Sequence, residues 1–186
     1  YWNALNASEE FEDYLRFANQ PLPISSSQIT DQDAVAALRK LTEIGAALPQ
    51  QLPPDRAHID ALLQALQQSQ RSSQLITSLA QTTHGLHQAT HMLTATNPRL
   101  LCPMQAPTAR SKILLNVFVL FYAGEIQPYL AQLQRLGQPW AEAVIALRAV
   151  PDIPDATAHT LDRLAGEQNS LWEEYQTALT KHTQAW

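Results

Sequence analysis

The chain is short of the residues that most often signal chemistry. Among its 186 residues there is one cysteine, Cys102, with five glycines and 16% charged side chains. A single thiol makes neither an internal disulfide nor a cysteine metal centre, and it leaves the redox compartment open. No glycines pair at the spacing of a phosphate-cradling loop. Lys and Arg number 12 against 17 Asp and Glu, for a net charge of -5, and the basic residues are scattered. Nucleic-acid binding needs clustered cations to displace phosphate counterions, so that class is set aside. No Glu-x-x-His occurs, which removes a bundle di-iron site. Cys102 precedes Pro103 without a Cys-His signature, and an inert packed thiol is the simpler reading. No run approaches the ~20 apolar residues of a membrane span.

What is present is a foldable composition, 45% hydrophobic, in a length that buries roughly 70% of the unfolded chain's surface as a single domain over residues 1–186. Helix periodicity dominates and no alternating strand pattern stands out, so the expected class is all-α, an up-down bundle of four long helices with extra short ones. Tyr1, Ala4, Ser8, Phe11, Leu15 and Ala18 form one amphipathic seam from the first residue, and Asn6 with Glu9 also fits a capping box. After a loop from Pro21 to Ser27, Thr30 and Asp33 cap a helix ending near Leu48. Pro49 to Pro54 is a second loop. Asp55 caps a segment that continues to about Thr96, with a stutter in the polar stretch Gln67 to Ser73 where the seam changes phase.

Three prolines make Asn97 to Pro107 a loop, and Thr108 caps the next helix. From Ile113 to Tyr122 that helix is apolar on every side except at Asn116, which predicts a central helix buried all round, with the Asn116 amide bonded to another helix. Gly124 and Pro128 stand four apart, so a kink or break is expected near Gly124. Two short helices should follow, one ending at Gly137 and one before Pro151, then a loop to Asp155. Leu161, Leu164, Gln168, Leu171, Tyr175, Ala178, His182 and Ala185 make one last seam.

Few residues carry candidate chemistry. His84, His87 and His91 lie within about 60° of one another on a helix, off the main seam, where they face solvent, a ligand or a metal. No further ligand is supplied nearby in sequence, so neither a metal nor a cofactor is expected. Arg110, Asn116, Tyr122 and Glu125 could orient a small ligand between helices.

The chain starts at Tyr1 and both terminal seams run to its ends, which reads as a piece cut from a longer protein between two transmembrane helices. In architecture it resembles the sensory domains of bacterial membrane receptors of histidine kinase or chemoreceptor type. That resemblance implies a non-catalytic, periplasmic or extracytoplasmic, membrane-tethered domain that binds a small ligand or protein and signals by sliding its last helix against its first. It also implies a homodimer through Phe11, Tyr14, Leu15 and Phe17. The alternatives are a soluble or lipid-anchored envelope interaction module of adaptor, chaperone or immunity type, and a metal-binding protein using the histidine row.

Overall fold

The computed structural model describes residues 1–24, 31–48, 50–95 and 108–185; among them the regular structure is helical, without strands. The all-α class therefore holds. Cys102 and the prolines between Asn97 and Pro107 lie outside the described residues, as does Thr30.

Local capping sets most boundaries. The expected first helix is two, α1 (Trp2–Asn6) and α2 (Glu9–Leu15). Ser8 makes the break: its hydroxyl donates to the Leu5 carbonyl at 2.8 Å and accepts the Phe11 N–H at 3.4 Å, closing one helix and opening the next. Asn6 does not cap; its Oδ1 accepts from Thr157 Oγ1 at 2.8 Å. α3 (Gln32–Ala47) follows Asp31, and Asp55 caps α4 (Arg56–Gln68) by accepting the His58 N–H at 2.9 Å. α5 (Arg71–Ala95) begins after a break that falls in the polar stretch, as expected. Its polar residues are tethers. Ser69 donates to Asp31 Oδ1, Ser72 donates to the Tyr14 carbonyl at 2.7 Å, and Thr77 and Ser78 accept the N–H groups of Ala18 and Leu22 at 2.9 and 2.8 Å. The irregular stretch after α2 is thus strapped across α5.

The second half departs further from expectation. α6 (Ala109–Val117), a π-helical segment (Phe118–Ile126) and α7 (Gln127–Arg148) form one uninterrupted rod from Ala109 to Arg148, about 60 Å long. Neither Gly124 nor Gly137 ends it. Pro128 has no N–H for the Gly124 carbonyl, and the helix widens instead of breaking, with the Gln127 N–H bonding the Tyr122 carbonyl five residues back. Gly137 is buried beneath the Trp172 indole, so its missing side chain makes room for a neighbour and does not stop the helix. The single last helix is also two, α8 (Asp155–Ala165) and α9 (Leu171–Ala185): Gly166 closes α8, Asn169 takes a left-handed φ of 53°, and Ser170 Oγ accepts the Glu173 N–H at 3.2 Å.

The core is built on α7. Leu133, Trp140, Val144 and Leu147 from α7 meet Leu38 and Leu41 of α3, Ile76 and Leu79 of α5, and Leu161 of α8, all essentially without exposure. α5 pairs with α9, α3 with α4, and α2 packs on α4 and α5. α9 is fastened to α7 by the Tyr175 hydroxyl, which donates to the Leu130 carbonyl at 3.2 Å, and by Gln176 donating to Gln134 at 2.7 Å.

One expectation fails here. The run Ile113–Tyr122 is not the central buried helix: α6 has no buried residue, and the amphipathic stripe of α7 takes the centre. The first and last helices do not stand together at their outer ends. Trp2 and Val150 both pack at Gly45 of α3, whereas His182 packs on Tyr122, and Tyr122 is about 40 Å along the rod from its end at Arg148.

Candidate functional site: an exposed apolar helix

The feature that needs a functional explanation is the outer part of the rod. Thr108 caps it as expected, its Oγ1 accepting the Ser111 N–H at 3.2 Å. Arg110 and Lys112 follow on the first turn, both exposed. Beyond them Ile113, Leu115 and Leu120 are 64%, 60% and 63% exposed, and Val117, Val119, Phe121 and Ile126 are also open to solvent. The exposed apolar positions from Ile113 to Phe121 occupy more than half of the helix circumference. Leu114 and Phe118, half-buried, and Tyr122, buried, occupy the rest.

The root of this helix is held firmly. The Tyr122 ring stacks on Phe118 at 5.5 Å between centroids and meets the His182 ring at 5.1 Å. His182 is 2% exposed, with Nδ1 3.1 Å from Thr90 Oγ1, and burial lowers its pKa below the ordinary histidine value because the charged ring would lose its hydration. A second brace comes from the Tyr129 hydroxyl, which donates to the Leu22 carbonyl at 3.3 Å. Tyr122, His182 and Thr90 thus join the rod, α9 and α5 at one level, and the apolar helix projects past that junction.

The candidate residues read from sequence do not form a common site. His84, His87 and His91 are all exposed on α5, and the Gln88 amide donates to His84 Nε2 at 2.9 Å. Among the described residues no group of three His, Cys, Asp or Glu side chains is placed to hold a metal ion. Arg110, Asn116 and Glu125 are exposed and strung over about 22 Å of helix, too far apart to grip one small ligand, and Asn116 is not bonded into a core. Only Tyr122 of that set is interior. Of the proposed dimer face, Phe11, Tyr14 and Leu15 are buried in the chain's own core and only Phe17 is exposed, because α2 turns its stripe onto α4 and α5. An open polar cleft of about 650 Å³ lies between residues 13–20 and 66–74, lined mainly by Asn, Gln and Ser. His182 was missed as a site residue, although its place in the last seam, where an apolar residue belongs, is the signal that marks it as interior.

Residues 1–186 match the family described as "Protein of unknown function (DUF3080)". The chain belongs to this family. Comparison with curated proteins and with solved structures finds no match for it. The reading of function therefore rests on the geometry above.

Proposed function

We propose that this chain is a non-catalytic helical interaction module that docks through the projecting helix Ile113–Ile126 onto an apolar surface outside itself. One observation carries the reading: seven large apolar side chains on two consecutive helical segments are open to water, on a chain whose other long helices turn their apolar stripes inward. Contiguous exposed apolar surface of this kind marks an interaction site in a soluble fold. The firmly packed root at Tyr122 and His182 gives such a helix a fixed direction. The sensory reading has less support. A slide of the last helix against the first needs the two to run together, and Trp2 packs on Gly45 of α3 beside Val150, just past one end of the rod, while His182 packs on Tyr122 about 40 Å away along it.

The test is site-specific photocrosslinking in cells that express the native protein. A photoreactive residue at Leu115 or Leu120 is expected to yield adducts, of protein, lipid or a second copy. The same residue at Leu52, which is 93% exposed but lies in a loop beside α3, should not. Equal yields at all three positions would refute the docking role.

A further inference from the structure

We infer that the surface this helix meets is the headgroup and acyl boundary of an anionic lipid bilayer, an inference that rests on the docking reading above. Three observations select lipid from the possible occupants. The first is the width of the exposed apolar arc, more than half of the circumference between Ile113 and Phe121. A protein groove, or a second copy of the same helix, covers a stripe of about 100° and leaves the remainder in water. A fluid acyl layer closes around a helix from every open side.

The second is the distribution of charge. Residues 72–95, 108–124 and 175–185 contain no Asp or Glu, in a chain that has 17. Those three stretches converge at the Tyr122, His182 and Thr90 junction, and the charges they bring to that end are the cations Arg110, Lys112 and Lys181. A chain of net charge -5 thus turns an end with three cations toward whatever its apolar helix contacts, Glu125 at the root being the one carboxylate on that helix, which suits phosphate headgroups of anionic lipid.

The third is where the cations stand: Arg110 and Lys112 lie at the free end of the apolar helix and Lys181 near its root, so a helix lying along the boundary keeps all three at the headgroups, whereas end-on entry would carry Arg110 and Lys112 into hydrocarbon. The helix Ala109–Arg148 is long and apolar enough to cross a membrane, and the cations at its free end favour the boundary over a crossing. Asn116 sets the depth as well, since an amide without a partner in hydrocarbon is costly and keeps the helix near the hydrated boundary.

The experiment is vesicle flotation of the full chain, using phosphatidylcholine vesicles with and without phosphatidylglycerol. Three proteins are compared: the unaltered chain, Leu115→Glu/Leu120→Glu, and Arg110→Ala/Lys112→Ala. All the altered positions are exposed, so circular dichroism should report the same helicity throughout. The unaltered chain is expected to float with the anionic vesicles. The double Glu variant should lose binding by about 100-fold or more. The double Ala variant should lose about 20-fold on anionic vesicles and nothing on neutral ones. An unaltered chain that stays in the buffer fraction with both vesicles overturns the inference, and so does binding that ignores phosphatidylglycerol. Sedimentation then separates the two readings. Self-association abolished by Leu115→Glu/Leu120→Glu would make a second copy the occupant and preserve docking, whereas a monomer that also fails the crosslinking test loses both.

Discussion

Replacing glycine by alanine at two helical positions should move stability in opposite directions, although the chemical change is the same. Gly85 lies inside α5 with nothing within 4 Å of a built Cβ, and it is exposed. Gly85→Ala is therefore expected to stabilise the fold by about 1 kcal/mol, the helix-propensity difference between the two residues. Gly137 lies inside α7, where a Cβ would come 2.2 Å from Trp172 Cζ3 and 2.7 Å from Cη2. Comfortable carbon contacts are about 3.5 to 4.0 Å, so the indole would have to retreat by more than about 1 Å. Its ring packs 5.7 Å from that of Tyr175, which is fully buried, so retreat on that side is blocked and the indole must give up packing. Overpacking of this kind costs about 1–3 kcal/mol, and at the upper end it outweighs the propensity gain to leave a net loss of about 1–2 kcal/mol. For a domain of this length each kcal/mol moves Tm by about 2–4 °C. Thermal unfolding should thus show Gly85→Ala raised by about 2–4 °C and Gly137→Ala lowered by about 2–8 °C. A thermodynamic cycle sharpens the test: in a Trp172→Leu background, Gly137→Ala should recover its propensity gain. If both glycine variants are stabilised alike in the unaltered background, Trp172 does not lie on Gly137 and the packing of α9 on α7 is other than described.

Two further outcomes follow from the same packing. Leu115→Gln and Leu120→Gln should leave the unfolding free energy in denaturant within about 0.5 kcal/mol of the unaltered chain, while Leu133→Ala and Phe11→Ala should cost about 2–5 kcal/mol; the reverse pattern would restore the apolar run as the core. Burial lowers the pKa of His182 in the folded chain, so the unfolded chain takes up a proton first as pH falls. The stability from its neutral ring is fully present above the unfolded value near 6.5 and is lost as pH drops from there toward the depressed folded value. Denaturant titrations across that window should show the loss, and His182→Gln should flatten it; an unchanged slope would mean that the ring is hydrated.

What was legible in the sequence was whatever depends on a few neighbouring residues. The all-α class follows from period 3.6 patterning, and the Asp55 and Thr108 caps and the break within Gln67–Ser73 are local hydrogen-bonding choices between a side chain and its own backbone. Ser8 and Ser170 belong to the same class of signal, hidden by the apolar seams that continue through them.

Whatever depends on which surfaces meet was not legible. Gly137 and Pro139 look like stops, yet the helix continues through both: Trp172 fills the space above Gly137, and α7 as a whole gains its stability from tertiary burial. The stripe of Phe11, Tyr14 and Leu15 announces a partner without saying whether that partner is another protomer or α4 and α5 of the same chain. The run from Ile113 to Phe121 announces only that it avoids water. Periodicity records the preference of each side chain, but whether enough matching surface remains to satisfy it is a property of the assembled fold. Once α3, α5, α8 and α9 have closed on α7, none of their stripes is left for the apolar helix. That shortage, visible only in three dimensions, turns what reads as a core helix into the candidate site.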